Sequence, residues 1–255
     1  MIAFEEELRR YPNTGRFLAG RLRHSMSQDE RLRLEDMVSA VVHHEAGDRI
    51  IARGNTCDNS TMLVEGFMVR TLESNGKRSI VSFHVPGDFV DLHCFALKRL
   101  DHNIDCIGPA TVAQVPHDRI KATMADDPHL SRLLWFSTLL DAALHREWIM
   151  KLEQLTTPRR IAHIFSEIGC RLGMVGLGRP DGFDTPLTQS DVADMCGATA
   201  IHANRAFADL RRRDLLIFER GRVHIPDCAE LHAYADFHPD YLYGEGDLAL
   251  ETEDA

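Results

Sequence analysis

The spacing of apolar residues divides the chain into distinct textures. Over residues 1–40, Phe17, Leu18, Leu22, Leu32, Leu34 and Val38 stand among Arg and Glu, which predicts one or two short amphipathic helices. From about residue 43 to 120 the apolar residues gather into short β-prone runs at 49–51, 61–64, 67–72, 79–83 and 111–115. Gly47, Gly54, Gly66, Gly76, Gly87 and Gly108 fall between or beside them. Short strands with turn residues at such spacing predict a β-sandwich, barrel or jelly roll, with a mixed α/β domain as the alternative. Asn75-Gly76 is a hairpin signal between two of the runs.

After Pro128 the period changes to three and four. Leu130, Leu133, Leu134, Leu140, Leu144, Trp148, Leu152 and Leu155 form one apolar stripe on a helix about 40 Å long. Such a helix can pair with its own copy, and the expected dimer contacts are Leu133, Leu140, Leu144, Trp148 and Leu152. Burial within one chain is the alternative. Thr157-Pro158 opens a further helix whose apolar face is Ile161, Ile164, Phe165, Ile168 and Leu172. The fold class is therefore α+β. Residues 1–127 form a β domain with N-terminal helices, 128–156 a dimerisation helix, 157–235 a winged helix-turn-helix, and 236–255 an acidic tail expected to be frayed.

The helix-turn-helix reading rests on ordered punctuation between Leu187 and Phe207. Thr188 caps a short helix and Asp191 supplies a first-turn acid. Val192, Ala193 and Cys196 face inward, and Gly197 permits a tight turn. Thr199 caps a second helix whose inner face is Ala203, Ala206 and Phe207. Ala200, Ile201, His202, Asn204 and Arg205 then face outward near the start of that helix, where base edges are read in a major groove. Arg205 suits guanine, Ile201 a thymine methyl, and His202 an acceptor edge or a phosphate. Thr199 stands where a phosphate would lie, and Gln189 and Ser190 complete the expected DNA-binding set. Residues 215–225 read as a hairpin whose tip offers Arg220 and Arg222, a wing, and Arg211, Arg212 and Arg213 stand at the end of the second helix.

A net charge of −10 argues against nucleic acid until its location is considered. Residues 227–255 hold nine acids and no Lys or Arg; the rest carries 30 acids against 29 bases. No apolar run approaches the roughly 20 residues that cross a bilayer. The start, MIAFEEELRR, lacks a signal-peptide pattern, so a cytoplasmic protein without membrane contact is expected. The cysteines Cys57, Cys94, Cys106, Cys170, Cys196 and Cys228 form no CxxC pair and read as buried thiols.

The run LTQSDVADMCGATAIHANRAFADLRRRDLLIF resembles the DNA-binding signature of the Crp/Fnr family, in particular the branch with His-x-Asn-Arg in the recognition helix. The resemblance covers nearly the whole chain. It implies a homodimer on a palindromic double-stranded DNA site and contact with RNA polymerase, and it makes residues 1–127 a sensor β-roll similar to cyclic-nucleotide-binding jelly rolls. The chain departs from that pattern where the nucleotide would sit. Leu92 stands near the expected Glu, and Asp101-His102-Asn103 near the expected Arg-Ser-Ala, so a phosphate would meet a carboxylate. Lys98 and Arg99 read as a solvated loop. The pattern disfavours a cyclic nucleotide, and without a cysteine before Cys57 no iron–sulfur cluster is expected.

The effector is thus left open, with Phe89, Leu92, His93 and His102 as the expected pocket for a small molecule. His43, His44, His84, His93 and His102 are candidate haem ligands, and Cys94 or Cys106 candidate redox sensors if exposed. Two rivals remain. One is a ligand-binding or redox-sensing module whose winged helix serves protein contact. The other is a cupin-like enzyme, for which His43-His44-Glu45 and His84 are the only hints.

Overall fold

A computed structural model describes residues 2–179 and 181–244. Helices α1 (Ile2–Arg10) and α2 (Gln28–Asp36) lead into the strands, joined by turns and a short 3-10 helix at Arg23–Ser25. Ser27 and Glu30 close a reciprocal capping box on α2. Seven strands follow: β1 (Ala40–His44), β2 (Arg49–Ile51), β3 (Asn59–Glu65), β4 (Met68–Ser74), β5 (Lys77–His84), then, after the short helix α3 (Cys94–Leu97), β6 (Asn103–Cys106) and β7 (Ala110–Pro116). They make two antiparallel sheets, ordered β1-β7-β3 and β2-β6-β4-β5. The β4–β5 turn is Asn75-Gly76 with φ of 53° and 71°, the left-handed pair that a two-residue hairpin demands.

Two of the seven strands escape the apolar pattern. In β1 the burial pattern is largely exposed: on this sheet edge Val41 is 45% exposed and only Val42, half-buried, packs against the core. In β6 only four residues pair, two of them Asn103 and Asp105, and burial comes from being a central strand. A helix also lies where none is expected: α4 (His117–Asp126) precedes the long helix α5 (Pro128–Gln154). Asp127 separates them, its carboxylate accepting from the Leu130 N–H at 2.9 Å at the α5 N-terminus.

Helix α5 corrects the expected dimer face. Leu133 packs with Phe17, Leu22, Leu34 and Ile120, while Leu140, Leu144 and Trp148 pack with Val69, Ile80, Phe83 and Ile161, all inside one chain. Only Leu152 of the five expected contacts is exposed. A second stripe faces outward instead, with Trp135 64%, Leu139 50% and Ile149 65% exposed. The helix is apolar on two sides, and residue spacing alone does not say which side the domain occupies.

Helix α6 (Thr157–Met174) then runs to β8 (Gly182–Asp184), α7 (Gln189–Cys196), α8 (Ala200–Arg212), β9 (Ile217–Glu219), β10 (Arg222–His224) and α9 (Cys228–Ala235). The strands form a small sheet in the order β8-β10-β9. The acidic tail expected from residue 236 is shorter than the composition implies. Phe237 and Leu242 are buried, Leu242 O accepts from Arg21 Nε at 2.7 Å, and Tyr243 meets Phe136 edge-on. Three aromatics and a leucine among the acids tie residues 237–243 to the body; residues 245–255 lie outside the described residues.

One buried ionic cluster joins the parts. Arg171 on α6, 2% exposed, donates to Asp88 of the loop after β5 at 2.6 Å and to Glu167 at 3.2 Å. Glu167 also accepts from Trp148 Nε1 at 3.1 Å and from the Tyr241 hydroxyl at 2.9 Å. Arg171→Ala strands two carboxylates, one of them in the core, and a loss of about 3–5 kcal/mol is expected in denaturant unfolding.

His84 lies beside this cluster. Burial first, then the Arg70 guanidinium, holds its imidazole down to about 4. An unfolded histidine takes up a proton near pH 6.5. Between these values the unfolded chain binds the extra proton, so this group destabilises the fold as pH falls through that window. Asp91, pushed up to about 7 by burial, acts in the opposite sense. Thermal melts of His84→Gln should therefore lose less Tm than wild type between pH 7 and pH 5; parallel pH profiles would contradict this.

Candidate nucleic-acid interface

The two helices of the reading head are set by local chemistry. Thr188 Oγ1 accepts from the Asp191 N–H at 3.1 Å, and the Asp191 carboxylate accepts from the Thr188 N–H at 2.9 Å. Gly197 closes α7 at φ 62°, a conformation L side chains rarely adopt. Thr199 Oγ1 accepts from the His202 N–H at 3.3 Å and starts α8. Val192, Ala193 and Cys196 are buried against Ala203, Ala206 and Phe207, as the small residues imply. Phe165, Phe183, Phe207 and Phe218 interlock beneath, with neighbouring ring centroids 5.3–6.1 Å apart. This aromatic floor carries α8 and the β9–β10 hairpin on one support.

The expected readers share one surface. Ala200, Ile201, His202, Asn204 and Arg205 are exposed on the first turns of α8, with Ile201 66% exposed. Gln189 and Ser190 are exposed at the start of α7, and Asn204 Nδ2 donates to Gln189 Oε1 at 3.3 Å, linking the two helix starts. Arg220 and Arg222 flank the wing turn, where Arg220 and Gly221 take φ of 50° and 77°. Arg205, Arg220 and Arg222 form no ion pair among the described residues, whereas Arg211 is bound to Glu219, and Arg212 and Arg213 to Asp209. The free cations are thus the ones at the helix start and wing tip.

A contact that no local pattern announces ties this head to the β-roll. Arg78, beside the β4–β5 turn, donates to Asp191 and, at 2.9 Å, to Asp194 of α7. Arg160 on α6 donates to the carbonyls of Leu155 at 2.8 Å and Cys196 at 3.0 Å, clamping the ends of α5 and α7 together. Lone charged residues in a strand or helix carry no sign of such distant partners.

The expected effector residues separate. His93 and His102 line a cavity between the hairpin, α5 and α7. Phe89 and Leu92 do not: both are packed in the core with Leu133 and Leu134, where Phe89 meets Phe17 edge-on at 5.6 Å. Leu92, in the turn before α3, is buried in that cluster instead of facing the cavity. Asp101 binds His102 Nδ1 at 2.7 Å, and the Arg70 guanidinium is held by Asp141 at 2.6 Å. Cys94 and Cys106 are buried, and burial pushes their thiols up to about 12 and about 11, which disfavours the reactive thiolate expected of a redox sensor. No group of three or more His, Cys, Asp or Glu among the described residues is arranged to hold a metal ion. No helix among them is long and apolar enough to cross a membrane.

Comparison with known proteins bears on the same two halves. The profile of the family "Cyclic nucleotide-binding domain" matches residues 41–127, and that of "Crp-like helix-turn-helix domain" matches residues 159–234. The chain is 25% identical over 196 residues to the nitrogen fixation regulation protein FixK of Bradyrhizobium diazoefficiens, covering 76% of this chain and 81% of the relative. It is 27% identical over 210 residues to the transcriptional activator protein FnrL of Cereibacter sphaeroides, covering 79% and 83%. The structure of FixK2 from Bradyrhizobium japonicum superposes with a TM-score of 0.70 at 21% identity, covering 76% of this chain and 96% of the other. With its roll, its long helix and its winged reading head, the chain belongs to the Crp/Fnr family of DNA-binding transcription regulators.

Proposed function

We propose that the protein acts in the cytoplasm as a homodimer on a palindromic double-stranded site, without a catalytic role of its own. The observation that carries the proposal is the free guanidinium of Arg205 beside exposed Ile201 and His202 on the first turns of α8. Arg205 reads a guanine by paired bonds to O6 and N7, Ile201 meets a thymine methyl, and His202 an acceptor edge. Asn204 orients Gln189, while Gln189, Ser190, Thr199, Arg220 and Arg222 hold phosphates and set the register. Ala200 keeps the helix start small enough to enter the groove. The bound head recruits RNA polymerase, and a small-molecule effector tunes the process.

Dimerisation runs through the outward stripe of α5. Trp135, Leu139, Ala142 and Ile149 recur at three- and four-residue steps or whole heptads, with Leu152 beside them. Large apolar side chains left together on one helix face mark a protein contact. Two heads on such a dimer meet half-sites about 34–36 Å apart.

Three measurements test this. In salt-dependent DNA-binding titrations, Arg205→Ala should cost about 1–3 kcal/mol and relax discrimination at one base pair. Arg220→Ala should weaken all sequences alike and reduce the slope of log K against log salt by about one. Equal, salt-insensitive binding by wild type and Arg205→Ala would instead favour a winged helix used for protein contact. In sedimentation velocity, Leu139→Asp should give a folded monomer, while Leu140→Asp, one residue further and buried, should unfold the chain. A Leu139→Asp dimer would place the interface elsewhere.

A further inference from the structure

A cavity of about 500 Å³ lies where the β4–β5 hairpin, α5 and α7 meet. That volume suits a small organic molecule. Leu72 and Ile80 of the hairpin, Trp148 and Ile149 of α5 and Met195 of α7 give it apolar walls.

The polar groups at its edge are already matched in charge. Arg70 donates to Asp141 at 2.6 Å and, through Nε and Nη2, to the Val90 carbonyl at 3.0 and 2.7 Å. Asp101 accepts from His102 Nδ1, and Asp194 from Arg78. An anion would therefore meet a spent guanidinium and the carboxylates of Asp101, Asp141 and Asp194. Two imidazoles keep hydrogen-bonding capacity. His145 Nδ1 lies 2.8 Å from the Asp141 carbonyl, a bond in which only the nitrogen can donate, so in the neutral ring the proton sits there and Nε2 is the acceptor. The His93 ring lies tilted against that of His102, centroids 5.4 Å apart, and itself makes no hydrogen bond among the described residues.

We propose that this cavity binds an uncharged, mainly apolar molecule carrying a hydrogen-bond donor, which His145 Nε2 or the His93 ring accepts. Because Asp194, Met195 and Gly197 of α7 line the same space as the hairpin, the occupant touches the roll and the reading head together. It binds the docked arrangement that Arg78 also holds, and it stabilises that arrangement by its differential affinity. This control of the head rests on the regulator reading above; the site itself does not.

Calorimetric titration of the full chain with 2-naphthol, a neutral apolar donor, tests the site against 2-naphthoate, its anionic counterpart, and cyclic AMP. One 2-naphthol per chain should bind, with the two anions about tenfold weaker or more. His145→Phe and His93→Phe together should weaken binding about fivefold or more, since a buried hydrogen bond is lost. Val81→Trp, which fills the cavity, should abolish it, and Arg205→Ala should bind as wild type. Thermal melts identify any variant that fails to fold. Absence of 2-naphthol binding, equal or tighter binding of either anion, or binding indifferent to both the histidine pair and Val81→Trp overturns the proposal. If 2-naphthol binds as expected but DNA affinity does not respond, the site stands and the effector reading falls.

Discussion

A guanidinium buried between two carboxylates holds this molecule in one shape. Arg171 reaches from α6 into the roll to meet Asp88, and the Glu167 beside it gathers Trp148 of α5 and Tyr241 of the C-terminal segment. Desolvating such charges is costly, and the cost is offset only when partners from different elements arrive together. The network therefore acts less as a source of stability than as a fastening: Asp88 of the roll, Trp148 of the long helix and Tyr241 of the C-terminal segment all meet the Arg171–Glu167 pair of α6. Burial works to raise the Asp88 carboxyl, but Arg171, His84 and Arg21 outweigh it and keep Asp88 well below the usual carboxylate range, so the pair stays charged at any ordinary pH.

From that fastening the division of labour follows. The inner face of α5 is spent on the chain's own core, which leaves Trp135, Leu139 and Ile149 free on the outer face. The inner faces of α7 and α8 are spent on the aromatic floor, which leaves Ile201, His202 and Arg205 outward. Arg78 then joins the hairpin to α7 through the same Asp191 that caps the helix. The hairpin is thus fastened directly to the helix that positions the reader.

The parts of the fold that were legible from residues alone are those built by near neighbours. Asn75-Gly76, the Thr188 and Thr199 caps, Gly197 and the Arg220-Gly221 turn each act within a few residues, so their positions in sequence are their positions in space. The reading surface is assembled almost wholly from such devices, and its members emerged together. Strands β1 and β6 were not legible, because an exposed edge strand and a four-residue polar strand gain their identity from the partner they pair with. The expected effector set split for a related reason: Phe89 and Leu92 lie near His93 along the chain, but side-chain direction in the roll sends them into the core.

Sequence by itself determined the order of roll, long helix and winged head, and the identity of the outward residues on α8, since period, caps and glycines are local physics. Tertiary structure alone decided which side of α5 is buried, which distant charges pair, and where the cavity opens. Those outcomes depend on closing contacts across 71 residues for Arg70 with Asp141, 83 for Arg171 with Asp88 and 113 for Arg78 with Asp191. A charged residue in a strand or helix looks the same in sequence whether its partner is a core carboxylate or water.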